Sequence, residues 1–380
     1  MRLVVKYLPP LLLVLLALLA AVSLTSCDRL QAANPNFSPT KAHHTPTGFR
    51  NNHIAAVDKP FLDLLRWRWS ALLDGLPPEA ATPTPTQAPD LNTLRNNGRA
   101  GAAMQPSVTW IGHATTLVQA SGLNVLTDPI FSERASPVQL IGPKRQPPPG
   151  VAMQDLPHID VVVISHNHFD HLDWQSVFGL DQRAKTAGRE TVFLLPLGLK
   201  AWFANLGIER VVELDWWDKF TLGAVDFHLT PVQHWSTRGT ADRNQTLWGG
   251  WAVFGPDFSW YFSGDAGYSK DFADTKQHFS LRVAPNGKLF DLALLAVGAY
   301  EPRWFMAAQH MNPLESAQAH KDLAAAQSIG IHWGTFNLTD EALDQPPVHL
   351  AAAKRTLQLA PEEFILLKIG QSQAFERRKR

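Results

Sequence analysis

Four metal-competent side chains within six residues constrain this chain more than any other feature. Asp160-Val161-Val162-Val163-Ile164-Ser165 is a β-branched run, short and continuous enough for a strand buried on both faces. His166-Asn167-His168-Phe169-Asp170-His171 follows it directly. Imidazoles and carboxylates massed at the end of a buried strand need partners, and a cation satisfies many of them at once. His166 and His168, two residues apart, can face one ion; Asp170 and His171, on the following turn, can face a second. The same grammar then repeats. Val225–Thr230 reads as a strand leading to His234, Trp260–Ser263 as a strand leading to Gly264-Asp265, and Ser328–Ile331 as a short strand entering His332. His234 or His332 alone would read as a structural histidine. Four strand ends in this order gather ligands as an α/β scaffold does.

Composition supports a metal and excludes other classes. The chain has 380 residues, 15 of them His, with one Cys, so neither a disulfide framework nor a multi-thiolate site is available. Lys plus Arg and Asp plus Glu balance at 34 each, which excludes a nucleic-acid binder held by a broad basic surface. The 13 Trp fit either a heavily aromatic core or an amphiphilic ligand.

The N-terminus reads as a targeting signal, residues 1–26. Arg2 and Lys6 precede an apolar run from Leu11 to Leu24 that is short for a bilayer span. It ends in Leu24-Thr25-Ser26-Cys27, which resembles the bacterial lipobox. The single Cys stands where acylation would anchor the chain to the periplasmic face of a cell-envelope membrane. Asp28 resembles a signal for retention at the inner membrane. Residues 27–106 read as a tether, a helix and a linker. The stretch from 28 to about 50 is rich in Asn, Pro, Thr and Ala. Phe61–Leu76 has helical apolar spacing, with two Trp and two Arg that suit packing on the main domain better than a membrane face. ATPTPTQAP at 81–89 is a Pro/Thr linker. Short apolar runs between turns from about Ser107 predict a sheet-rich α/β domain over 107–380.

The set His166, His168, Asp170, His171, His234, Asp265 and His332 resembles the metallo-β-lactamase-fold hydrolases. That resemblance implies an αββα sandwich with a dinuclear site on one rim. His166, His168 and His234 would hold one ion, and Asp170, His171 and His332 the second, with Asp265 bridging them. Such ligands suit two zinc ions, with manganese or iron as alternatives. A longer match lies in WIGHAT (110–115), LTDPIFSERASP (126–137), HNHFDHLD (166–173), PVQHWSTR (231–238), LWGGW (247–251), FSGDAGY (262–268), GAYEPRWFM (298–306), QHMNP (309–313) and IHWGTF (331–336). In this order they are similar to the N-acylphosphatidylethanolamine-hydrolysing phospholipase D family.

The resemblance implies hydrolysis of N-acylphosphatidylethanolamine-type phospholipids to N-acylethanolamine and phosphatidic acid, by hydroxide held between two cations. The alternative is a sister enzyme opening a lactone or cleaving another phosphodiester. Asp170, Asp265 and His310 would be catalytic, with Gln309 and His310 at the substrate head group. Asn312-Pro313-Leu314-Glu315 reads as a helix start that places His310 by a favourable anion position. Asp128 and His113 are expected behind the ligands, orienting them. Gly264 and Gly267 are expected to let backbone approach the ions. Arg303 and Trp304 read as structural, whereas Trp235, Trp248 and Trp251 fit an acyl groove or the core. The implied partners are a phospholipid, a membrane surface reached through the lipid anchor, and a second copy in a homodimer, with no nucleic acid.

Overall fold

The computed structural model describes residues 32–54, 57 and 60–378. The expectations for Arg2, Lys6, Leu11–Leu24 and Cys27 lie outside the described residues. A small hairpin, β1 (His44–Thr45) and β2 (Gly48–Phe49), and two helices, α1 (Phe61–Asp74) and α2 (Leu91–Asn97), come first. The first large sheet follows as β3 (Ser107–Gly112), β4 (Thr115–Ala120), β5 (Leu123–Thr127), β6 (Val161–Val163), β7 (Val192–Pro196) and β8 (Val211–Leu214), with helices α3 (Trp174–Thr186) and α4 (Lys200–Asn205) between its later strands. The second comprises β9 (Lys219–Leu222), β10 (Val225–Thr230), β11 (Gly250–Phe254), β12 (Ser259–Phe262), β13 (Phe290–Ala296), β14 (Ala325–Ile331) and β15 (Phe364–Ile365). Helices α5 (Asp271–His278), α6 (Arg303–Met306), α7 (Pro313–Asp322) and α8 (Gln345–Leu357) are interspersed there. A last strand, β16 (Ser372–Ala374), returns to pair antiparallel with β3.

Each sheet has seven strands, ordered 16-3-4-5-6-7-8 and 15-14-13-12-11-10-9. Both are antiparallel on one side and parallel on the other: β5 to β8 run parallel, as do β12 to β15. The β6 sequence explains the layering. Val161 and Val163 join the apolar core shared with the second sheet, alongside Trp110, Phe227, Trp251 and Trp260. Val162 and Ile164, on the other face, pack with Val177 and Leu180 of α3 and Phe203 of α4. Burial of each such side chain stabilises by roughly 1.5–3 kcal/mol. The result is the αββα sandwich.

Three expectations change. The run read as a strand over 160–165 is ladder-paired only from Val161 to Val163. The chain leaves the sheet at Ser165, whose amide donates to Asp128 Oδ1 at 2.7 Å instead of to a strand. The tether is packed along 32–54, where Lys41, His43 and His44 converge on the buried Asp215 carboxylate at 2.5, 2.6 and 2.8 Å. The Pro/Thr segment is likewise laid on the domain: Thr84 Oγ1 donates to the Gly334 carbonyl at 2.7 Å and Thr86 bridges to Ile369. Leu94 of α2 is buried in the helix-side core. Polar and Pro-rich composition mimics a linker here because the segment is held by side-chain hydrogen bonds more than by apolar area.

The helix over 61–76 forms as α1, and packing is what its Trp67 and Ala71 do, against Phe305 and Met306. No helix among the described residues is long and apolar enough to cross a membrane.

Candidate metal centre

Both sheets supply the centre from the ends of their strands. His166, His168, Asp170 and His171 follow β6; His234 follows β10, Asp265 follows β12, and His332 directly follows β14. The seven residues named in the sequence are brought together in two adjacent groups, the second of which also takes in His113. In one, His166, His168, His234 and Asp265 present ligand atoms within 4.8 Å of one another; in the other, His113, Asp170, His171 and His332 do so. Asp265 stands between them. Its Oδ2 is 3.9 Å from His166 Nε2, 3.9 Å from His234 Nε2 and 3.1 Å from His171 Nε2, and its Oδ1 is 3.1 Å from His332 Nε2.

Local contacts decide which ring nitrogen faces inward. His234 Nδ1 is 2.9 Å from the Gln309 carbonyl and so donates to it, leaving Nε2 for the site. His171 Nδ1 is 2.6 Å from Asp128 Oδ2, which aims its Nε2 inward. His166 Nδ1 rests on Ser165 Oγ at 2.9 Å, and its Nε2 lies 2.8 Å from His168 Nδ1. His168 Nδ1 is also 3.4 Å from His234 Nε2, so three imidazole nitrogens converge on one point. Asp128, expected to orient a ligand, is fully buried and holds both the amide and the hydroxyl of Ser165 as well as His171 Nδ1. His113 lies beside the same groups: its Nε2 donates to Asp170 Oδ2 at 3.0 Å, and its carbonyl accepts from the His332 amide at 3.0 Å.

Asp128, His113 and His332 all take left-handed backbone, with φ of 31°, 53° and 62°. Non-glycine residues held there cost on the order of 1–3 kcal/mol each and concentrate at functional sites.

Electrostatics favour a cation. Burial pushes His168 down to about 3 and His234 to about 4, so both rings are neutral at ordinary pH and free to offer a lone pair to a cation. Burial alone would raise Asp265, but the charges of His171, His332 and His310 outweigh it and hold the carboxyl well below its usual range. Burial opposes charge on His171, yet the Asp265 and Asp170 carboxylates, with the Asp128 hydrogen bond, raise it well above its ordinary value. Three carboxylates around one imidazole call for positive charge. His171 Nε2, His332 Nε2 and Asp265 Oδ1 are buried with no hydrogen-bond partner among the described residues. These orphaned donors and acceptors, all of imidazole and carboxylate type, fit divalent cations.

A cavity of about 410 Å³ opens onto this centre. Its wall includes His168, Asp170, Asp265, Gln309 and His310 together with apolar Phe169 and Met306. His310 Nδ1 is buried and unpartnered, 3.8 Å from Asp265 Oδ2. Gln309 lines the same space, with its Oε1 also unpartnered. The three tryptophans divide. Trp248 and Trp251 are fully buried core residues, and the Trp251 indole donates to the Ile164 carbonyl at 2.9 Å, joining the sheets beside the site. Only Trp235 reaches the cavity, its ring 4.5 Å from that of His168. Arg303 is structural, paired with Glu315 at 2.7 Å. Gly264 and Gly267 admit close backbone approach, but to protein: a Cβ would stand 2.4 Å from Ser165 Cβ or 2.5 Å from the Ala308 carbonyl oxygen.

Sequence reasoning missed Ser165, the Gln309 carbonyl, Asn51 and Arg238. Ser165 had a usable signal, lying between the strand and the first ligand. Arg238 Nη1 donates to the carbonyls of Asn167 and Leu172, both at 2.8 Å, and so clamps the two ends of the ligand loop.

A family profile described as "Beta-lactamase superfamily domain" matches residues 123–333. With the sandwich and the paired His/Asp groups, this places the chain in the metallo-β-lactamase superfamily, as a metal-dependent hydrolase. Among its relatives is the N-acyl-phosphatidylethanolamine-hydrolyzing phospholipase D 1 of Caenorhabditis elegans, 41% identical over 238 residues. That alignment covers 60% of this chain and 64% of the relative, so the chain spans less than two thirds of that protein's length. An uncharacterised protein of Mycobacterium bovis is 37% identical over 302 residues, covering 78% of this chain and 74% of its own. Among solved structures, the isothiocyanate hydrolase from Delia radicum gut bacteria has a TM-score of 0.55 at 17% identity, covering 71% of this chain and 99% of that one; it shares the fold.

Proposed function

We propose that this hydrolase is a zinc-dependent phosphodiesterase acting on N-acylphosphatidylethanolamine-type phospholipids, releasing N-acylethanolamine and phosphatidic acid. The observation that carries the reading is the cavity, whose wall joins apolar Phe169, Trp235 and Met306 directly to Asp170, Asp265 and His310. A lipid with an anionic head needs that combination. The 41% identical relative named for this activity supports it.

His166, His168 and His234 would hold one ion, and Asp170, His171 and His332 the other, with Asp265 shared. Two bound cations would polarise the phosphoryl group and lower the pKa of water. The chain's residues do the rest. Asp128 fixes the His171 tautomer and Ser165 fixes the His166 ring. His310 Nδ1, without a partner among the described residues, would donate to a phosphoryl oxygen, and Gln309 Oε1 would accept from the substrate amide. The apolar walls exclude water from the acyl chains.

Anchoring through Cys27 in a bacterial envelope belongs to the same proposal. α1 leaves Leu62, Trp69, Leu72 and Leu73 exposed at 75%, 65%, 71% and 69%. The buried side of α1 packs on Phe305, next to Met306 of the cavity wall, so a lipid surface under α1 would lie near the cavity. The test is zinc-loaded protein on N-acylphosphatidylethanolamine vesicles, with N-acylethanolamine measured by mass spectrometry. Release by the wild type and none by His168→Ala is expected. Equal release by both, or release unaffected by a chelator, contradicts the proposal.

A further inference from the structure

The N-terminal segment reaches the metal centre through one side chain. Asn51 is 6% exposed and pairs with the main chain of His234 in both directions. Its Nδ2 donates to the His234 carbonyl at 2.9 Å, and the His234 amide donates to its Oδ1 at 3.0 Å. Among the described residues these two groups of His234 have no other hydrogen-bond partner. The preceding residue, Gln233, is paired instead with Gly267. A carboxamide is the one side-chain group that offers a donor and an acceptor side by side, as a strand neighbour does.

The segment bearing Asn51 is held on both sides. Upstream, Phe49 donates its amide to the Asn244 carbonyl at 2.8 Å, and Lys41, His43 and His44 grip Asp215. Gly48 is pressed so close that a Cβ there would stand 2.1 Å from Asn244 O. Downstream, Asn52 donates to Asp271 Oδ1 at 3.0 Å. Asn51 therefore has little freedom to follow a shift of His234. The ring end of His234 is fixed by Gln309 and its backbone by Asn51, and its Nε2 points to His168 Nδ1 at 3.4 Å.

We infer that Asn51 is a positioning residue for one of the two metal ions, acting through His234 and so coupling the N-terminal segment to the affinity of the centre. This rests on the reading of His234 as a ligand.

The test is zinc retention by the full mature chain against a graded chelator, with metal counted per protein and folding checked by circular dichroism. Four variants are compared: Asn51→Ala, Asn51→Asp, Asn52→Ala and His234→Ala. Removing an outer partner of a metal-bound His costs about 10- to 100-fold in affinity. Asn51→Ala should therefore release one of two ions at roughly 10- to 100-fold lower chelator strength, the same ion that His234→Ala loses, with the second ion held as in the wild type. Asn52→Ala, which loosens the same segment without touching His234, should retain both. Wild-type retention of both ions by Asn51→Ala, while His234→Ala loses one, overturns the inference. So does equal weakening of both ions, which marks a merely structural role. If Asn51→Ala does not fold, Asn51→Asp is read in its place: it keeps the acceptor and loses the donor, and wild-type retention there also overturns the inference. If His234→Ala holds both ions as the wild type does, the ligand reading itself falls.

Discussion

Asp128 has no contact with the cavity, yet three groups of the site depend on it: the Ser165 amide, the Ser165 hydroxyl and His171 Nδ1. A carboxylate suits this place because it only accepts, and each of the three groups donates. Asp128→Asn keeps the shape but turns a donor toward His171, which must then change tautomer or rotate. Zinc affinity or turnover should fall about 10- to 100-fold, while the melting temperature falls less than for a core truncation. Chelator competition beside a thermal melt checks this, and unchanged affinity would show that Asp128 is dispensable. At this scale the residues that converge on the candidate centre were legible in the sequence because each is a His or Asp at a strand end, a pattern local to a few residues. Asp128 was legible from its place at the end of the strand-like run LNVLTD, and His113 from its place in WIGHAT. Asn51 carried no local signal, since its partner His234 lies 183 residues away. The same holds for the Gln309 carbonyl, because any residue type supplies one.

Elements were legible where periodicity is strong. β10 occupies Val225–Thr230 as read, and α7 is capped by Asn312 with a full capping box to Glu315. β6 came out shorter than its β-branched run: the Ile164 amide still reaches the Leu194 carbonyl, but the Ser165 amide is taken by the Asp128 side chain. The packed N-terminal segment was not legible, because its hold is ionic and long-range. That hold has a pH signature. Burial alone would raise Asp215, but hydrogen bonds from His43 and Lys41 outweigh it and keep the carboxyl well below its usual range. A group with a depressed folded-state pKa stabilises above its unfolded value, about 3.9 for Asp, and loses that contribution as pH falls below it. Asp215→Asn should therefore melt at lower temperature than the wild type at pH 7, with the gap narrowing below about pH 4. A gap independent of pH would contradict the account. α1 makes a separate prediction. Leu72→Ser with Leu73→Ser removes exposed apolar surface without touching Trp67 or Ala71. Binding of protein lacking the signal to phospholipid vesicles should weaken about 10-fold or more, since interfacial affinity scales with buried apolar area. Turnover of detergent-dispersed substrate should be unchanged; equal vesicle binding would remove α1 from the lipid face.

At the scale of the molecule, the centre sits where the two sheets meet. The first sheet supplies the run from His166 to His171, and the second supplies His234, Asp265 and His332. Neither sheet holds a complete ligand set, so cations there would join the two halves of the sandwich. The architecture was legible from strand-end histidines and the family resemblance. The extent of the domain was not, because the polar segment ahead of residue 107 folds onto it. Hydrolysis at phosphorus of an N-acylated phospholipid is the proposed reaction. Its most direct test is a turnover of zinc-loaded protein on N-acylphosphatidylethanolamine in oxygen-18 water, with both products weighed by mass spectrometry. Attack of water at phosphorus gives unlabelled N-acylethanolamine and phosphatidic acid carrying one heavy oxygen. Label in the ethanolamide, or no release from protein shown to hold two metal ions, would contradict it.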